Sequence, residues 1–256
     1  QKTDIKGGGV ITLRGEDKNF GSIGTFTPFE ELNAIVKHVW NDSNSEALSN
    51  LISSRGVYRF SPEFYNQNTS LGNRLGKGSS NMIVSNSFGK LPEIFLKDVP
   101  ENASNRYIKI LGRLNGHRLY RYIRREYVLN NAYIDKYKIM LPEANGTGAI
   151  GEVLSTPLIG ATDTFISIGP FEDKVTAENV LKYIKTKFAR TMLGVKKVTQ
   201  HNPRATWVKV PMQDFTKNSD IDWSQSIHDI DQQLYKKYGL TDEEINFIET
   251  KVQAMD

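Results

Sequence analysis

The stretch Tyr107-Ile108-Lys109-Ile110-Leu111-Gly112-Arg113-Leu114-Asn115-Gly116-His117-Arg118-Leu119-Tyr120-Arg121-Tyr122-Ile123-Arg124 decides the fold class. β-Branched and aromatic residues crowd both halves, and Gly and Asn punctuate the middle. Arg106 to Leu111 reads as one strand and Arg118 to Ile123 as the next. Leu111 to Gly116 forms the hairpin connection, which sets Tyr107, Ile108 and Ile110 against Leu119, Tyr120 and Tyr122. Alternation places Arg118, Tyr120, Tyr122 and Arg124 on one face of the second strand, and Leu119, Arg121 and Ile123 on the other.

Outward from the hairpin, Asn81 to Ser85, Lys136 to Leu141, Thr164 to Gly169 and Thr206 to Val210 carry the same strand signature. Gly7-Gly8-Gly9 before Val10 to Leu13 reads as a turn into a strand. Helices flank this centre. Thr27-Pro28 caps one whose apolar positions are Leu32, Ile35, Val36 and Val39. A short helix is expected over Ser45 to Ser53. Thr176 is read as the cap of a helix with an apolar stripe of Val180, Leu181, Ile184, Phe188 and Met192. One closing helix carries Ile227, Ile230 and Leu234 and stops before Gly239. Another opens on the capping box Thr241 to Glu244 and buries Ile245, Ile248 and Val252. Asn66 to Ser80, rich in Asn, Gly and Ser, reads as a loop. The expected class is α+β, with a strand-rich centre, flanking helices and a helical C-terminal end. Three segments follow: 1–75, 76–215 and 216–256.

Composition narrows the function classes. The 256 residues contain 38% hydrophobic and 24% charged residues, ordinary for a globular chain. Cys is absent, which excludes disulfides, thiolate metal sites and Cys nucleophiles. No run approaches the roughly 18 uncharged apolar residues of a membrane helix. Gln1-Lys2-Thr3-Asp4 is not the start of a signal peptide, so a cytoplasmic protein is expected. The missing Met points to a trimmed piece of a longer chain.

Charge is unevenly spread behind the formal net charge of +4. From Arg106 to Lys138 nine Lys/Arg face only Glu126 and Asp135, and from Lys182 to Lys209 eight Lys/Arg face no acid. From Asp214 to Asp256 ten acids outnumber four bases. Basic blocks of this density suit a polyanion such as nucleic acid, or else solvated helix faces and strand edges. The acidic tail would be repelled by DNA, so intramolecular packing or partner contacts are expected of it.

Catalytic constellations are lacking. No phosphate-binding loop or dinucleotide fingerprint occurs, and no Ser sits in a nucleophile elbow. The four His are scattered without metal-ligand spacing. Asn145 to Gly151 is Gly-rich, but no helical pattern follows it. Glu16-Asp17-Lys18 and Glu172-Asp173-Lys174 match only the bare acid–spacer–Lys skeleton of metal-dependent nucleases. Recognition chemistry is richer. Between His117 and Tyr127, Arg and Tyr interleave, and both residue types pair with phosphates and base edges. They equally suit a half-exposed strand whose Arg stems cover aromatic rings. Lys196 to Arg204 follows a basic helix with small polar residues suited to phosphate contact.

Several segments together resemble the C-terminal region of adenine-specific DNA methyltransferases of type II restriction–modification systems, including fused restriction–methylation proteins. They are Gly148 to Pro157, Thr164 to Gly169, Ala177 to Leu193, Trp207 to Phe215, Ile221 to Ser224, and Ile230 to Ile245. The resemblance runs from about residue 80 to the end. Gly7 to Val10 is similar to the Gly-Gly-Val strand after the family's catalytic motif, which would make the first ~35 residues the end of a methyltransferase domain. It implies a target-recognition region that holds duplex DNA while a separate domain, upstream in cis, binds S-adenosylmethionine and methylates a flipped-out adenine. The family's Asn-Pro-Pro-aromatic motif is not present, and Asn202-Pro203-Arg204 does not match it. No catalytic, cofactor or metal residue is therefore assigned here.

From composition and position, the leading DNA-contact candidates are Arg113, Asn115, Arg118, Arg121, Arg124 and Arg125. Arg74, Lys77, Lys196, Lys197 and Arg204 are phosphate-contact candidates. Two alternatives stand beside this: the nuclease portion of a fused enzyme, built on Glu16 and Glu172, and a protein-interaction module whose basic faces dock an acidic partner.

Overall fold

In the computed structural model, which describes residue 25 and residues 27–40, 45–75, 81–103, 106–145 and 151–255, the hairpin strands are β1 (Tyr107–Leu114) and β2 (His117–Arg124). The expected six-residue connection shrinks to Asn115 and Gly116. Both have positive φ, 51° and 81°, the two-residue turn whose twist matches that of paired strands. The ladder therefore runs from Tyr107 opposite Arg124 to Leu114 opposite His117. Ile108 meets Ile123 and Ile110 meets Arg121, a different register from the expected one. The alternation holds: Ile123 is buried, and Arg118, Tyr120 and Arg124 are exposed.

Two short strands complete the first sheet and start the second. β3 (Tyr137–Pro142) pairs antiparallel with β4 (Val153–Ser155) and with β6 (Phe165–Phe171). β5 (Ile159–Ala161) runs parallel to β1. The sheet orders are β2-β1-β5 and β4-β3-β6. β4 and β5 are three residues each, too short to show a period in the sequence.

Eight helices flank the sheets: α1 (Glu30–Val39), α2 (Pro62–Gln67), α3 (Thr69–Gly72), α4 (Ser87–Lys90), α5 (Lys174–Lys185), α6 (Lys187–Gly194), α7 (Ile227–Lys237) and α8 (Asp242–Lys251) among the described residues. The α+β class and helical C-terminal end are thus present. Among the described residues no helix is long and apolar enough to cross a membrane.

Several local expectations change. Asn81 to Ser85 is turn rather than strand, with one bridge from Arg59 to Met82. Asn81 adopts φ 64°, off the strand geometry. Thr206 to Val210 is not a strand either. Thr206 bonds back to the Pro203 carbonyl through both its amide and its hydroxyl, winding Arg204–Trp207 into a 3-10 turn. Ser45 to Ser53 holds only a 3-10 turn, Leu48–Leu51. Part of the expected loop at Asn66 to Ser80 is helical, through α2, α3 and a 3-10 turn at Asn73–Leu75, because Ser61 caps α2 with Pro62 behind it. Residues 76–80 and the Gly7–Leu13 strand lie outside the described residues. α1 begins at Glu30, not Pro28, and Thr27 exchanges two hydrogen bonds with the Asn33 side chain. Asp173, not Thr176, caps α5. The stripe from Val180 to Met192 is read correctly but spans two helices. Thr186 leaves helical geometry and caps α6 with its own hydroxyl. The capping box at Thr241 is present; α8 buries Ile248 and Phe247, with Ile245 only partly covered.

The β4-β3-β6 sheet separates two apolar cores. Ile139 and Leu141 of β3, with Ile166 and Ile168 of β6, face the helices and meet Val180, Ile184, Phe188, Met192, Ile230 and Ile248. Met140 and Phe165 face the other way, toward Ile108, Ile110, Ile123 and an aromatic cluster of Phe60, Phe64, Phe88 and Phe95. The helical core draws on residues 32–52, 139–215 and 221–248 together, so residues from all three expected segments pack as one.

Between these cores Lys138 is fully buried, 0% exposed. Its Nζ donates at 3.0 Å to the carbonyls of Lys136 and Thr156, with no carboxylate in bonding contact among the described residues. Burial therefore pulls its pKa down to about 7. Between pH 7 and the ordinary Lys value, the unfolded chain holds a proton that the folded chain has released. Stability consequently rises with pH across that window. Denaturant titration is expected to show a gain of about 2–3 kcal/mol from pH 7 to pH 9. In Lys138→Met the gain should vanish; a variant that keeps it would contradict a burdened buried amine.

Candidate nucleic-acid interface

The hairpin tip sets the geometry of the site. Arg113 and Arg118 are directly opposite across the ladder, where like charges repel. Arg118 leans away. Its Nη2 donates to the Gly151 carbonyl at 2.7 Å, and its guanidinium lies 5.5 Å over the Phe165 ring. Arg113 is exposed and has no side-chain partner among the described residues. Asn115 is the first residue of the exposed turn.

A second element closes on the same end. The loop after α6 is laced to the end of β3. The Asn202 amide donates to the Glu143 carbonyl, the Asn145 amide donates to the Gln200 carbonyl, and His201 Nδ1 lies 3.1 Å from the Glu143 carboxylate. Lys197 Nζ donates to the carbonyls of Asn145 and Thr199, both at 3.1 Å. Partial burial pulls its pKa down. A Cβ placed on Gly151 would sit 3.2 Å from Arg118 Nη2 and 3.3 Å from Asn145 Nδ2. Arg118, Gly151, Asn145 and Lys197 therefore share one spot. Lys196 and Arg204 stand exposed on the same loop, Lys196 without a side-chain partner among the described residues and Arg204 in electrostatic contact with Tyr133.

The other candidates lie elsewhere. Arg121 is on the opposite face of β2 and bonds the Tyr120 carbonyl at 2.9 Å. Arg124 is roughly 20 Å along the strand from Arg118. It pairs with Glu126 at 3.3 Å and lies 5.6 Å over the Tyr127 ring. Arg125 braces the next loop through the Val128 carbonyl, the Asn130 side chain and Asp135. With Arg106 these two line a separate open cleft of about 1000 Å³. Arg74 is paired with Glu93 at 2.5 Å. Lys77 lies outside the described residues.

Most of the second basic block is engaged internally. Lys187 pairs with Glu249 at 2.5 Å and Lys185 with Glu152 at 3.2 Å. Lys182 donates to the carbonyls of Trp223 and Gln225, Arg190 to that of Gln253. Lys209 lies 5.1 Å over the Trp40 ring. The acidic tail thus packs within the molecule. These contacts leave Lys196 and Arg204 as exposed cations of that block.

Glu172-Asp173-Lys174 does not form a metal site. Asp173 is the α5 cap, Glu172 pairs with Lys136, and Lys174 pairs with Glu178. Among the described residues no group of three or more His, Asp or Glu could hold a metal ion; Glu16 lies outside them. The Gly-rich stretch, of which residues 146–150 lie outside the described ones, is followed by strand β4. Asn145 and His201, which with Glu143 organise the loop, lie in stretches the sequence marks, but Glu143 does not. Their partners are about 52 to 58 residues away, a separation that leaves no local signal. No protein-family model, curated protein or solved structure matches the chain.

Proposed function

We propose that this chain recognises double-stranded DNA, as the specificity portion of a restriction–modification adenine DNA methyltransferase. One observation carries the reading: the hairpin tip and the loop after α6 meet through Arg118, Gly151, Asn145 and Lys197, and Arg113 opposite Arg118, with Lys196 and Arg204 on that loop, lack an acidic partner within the described residues. Exposed cations without carboxylates are what a phosphate backbone replaces water around. The family resemblance supports the division of labour. The methyltransferase domain in cis would hold S-adenosylmethionine and do the chemistry, in the cytoplasm where the DNA lies, while this chain fixes register and reads bases.

The test is the anisotropy of a labelled duplex titrated with the chain at several salt concentrations. Contacts from Arg113, Arg118, Lys196, Lys197 and Arg204 predict a log–log slope of about −4.5, at roughly 0.9 per phosphate contact. A flat salt response contradicts the reading.

A further inference from the structure

Resting on that DNA-binding reading, we infer that the loop Lys196 to Arg204 reads an A·T pair in the major groove, Gln200 contacting adenine and Val198 the thymine methyl. Val198 is 88% exposed, more than any other large hydrophobic residue among those described. Isolated exposed apolar residues are common, but this one is held out by its neighbours. The ammonium of Lys197 ties the carbonyl of Thr199, within the loop, to that of Asn145, just beyond β3. The Val198 amide donates to the Lys196 carbonyl at 3.2 Å. The backbone carbonyl of Gln200 is fixed by the Asn145 amide at 2.8 Å.

The Gln200 side chain is exposed and its amide has no partner among the described residues. A carboxamide matches the N6 donor and N7 acceptor of adenine, and an apolar side chain matches the C5 methyl of thymine. Val198 and Gln200 are two residues apart, at most about 7 Å between Cα atoms, within reach of one base pair. Lys196 and Arg204 bracket them, one cation at each end of the loop, placed to hold the flanking phosphates. Phosphate-holding ends and a base-reading middle thus occur in one segment of nine residues.

The experiment selects binding sequences from a randomised duplex pool with the wild-type chain. At each selected A·T position, thymine is then replaced by uracil, which removes only the methyl, and adenine by 7-deazaadenine, which removes only N7. Wild type should lose about three- to fivefold at one position on losing the methyl, and about tenfold or more at the same position on losing N7. Val198→Ala should become indifferent to the methyl and Gln200→Ala to N7. Each variant should retain the wild-type salt slope and melting temperature. Variants that keep the wild-type sensitivity to both substitutions overturn the assignment while leaving DNA binding intact. A wild type that enriches no sequence overturns base reading by this loop; one that binds no duplex at all overturns the DNA-binding reading beneath it.

Discussion

Asp231→Ala is expected to destabilise the protein by about 3 kcal/mol, shifting the melting temperature by roughly 6–12 °C for a chain of this size. Asp231 sits on α7 in the most acidic part of the sequence, yet it is only 2% exposed. Its two carboxylate oxygens accept the backbone amides of Lys187 and Phe188, at 2.9 and 2.8 Å. Those are the first two amides of α6, which no intrahelical carbonyl can satisfy. The third amide of the turn, that of Ala189, is taken by the Thr186 hydroxyl at 3.1 Å. α7 therefore caps α6 through space, and truncation strands one buried and one partly buried donor at the helical core. Asp231→Asn should lose less, because its amide oxygen still accepts one of them. Burial raises the Asp231 carboxyl to about 6 despite these two bonds. Between about pH 4 and 6 the folded chain therefore holds a proton that the unfolded chain has released, and stability falls as pH rises through that window. Thermal melts of both variants decide the point: an unchanged Asp231→Ala would mean that α6 does not depend on this cap.

The second large effect concerns binding. Replacing Arg113, Lys196 and Arg204 together with Ala should weaken duplex binding roughly a hundredfold near physiological salt, at about 1 kcal/mol or more for each lost contact. Arg113 and Lys196 make no side-chain contact among the described residues and Arg204 meets only the Tyr133 hydroxyl electrostatically, so the melting temperature should change little. Arg118 is left out of this variant. Its bond to Gly151 and its place over Phe165 would mix a folding effect into the binding one.

Local signals were the legible part of this chain. The capping box at Thr241, the stripe at Val180 to Met192 and the Arg/Tyr alternation on β2 all depend on neighbours within a few residues. Patterns stop being informative where tertiary bonds override propensity. Thr206 to Val210 looks like a strand, but the Pro203 carbonyl captures Thr206 and winds it into a turn. The helix expected to run unbroken through Thr186 stops there, because the Thr186 hydroxyl bonds the Tyr183 carbonyl and caps the next helix. The site divides the same way. The cations themselves are visible in the sequence. Which of them are consumed is not, because it depends on contacts such as Lys187 with Glu249, 62 residues apart. Eight basic residues in a row without an acid read as one surface, and folding splits them into internal anchors and an exposed remainder.

In the proposed reading the hairpin tip and the loop after α6, rather than overall charge, hold the duplex. It is tested most directly by two variants carrying the same change in net charge. One removes Arg113, Lys196 and Arg204. The other removes Lys37, Lys236 and Lys251, exposed cations on α1, α7 and α8. Salt titrations of duplex affinity should show the slope falling by roughly 2–3 for the first variant and staying at the wild-type value for the second. Equal losses in both would contradict the claim, leaving only nonspecific attraction to a basic protein.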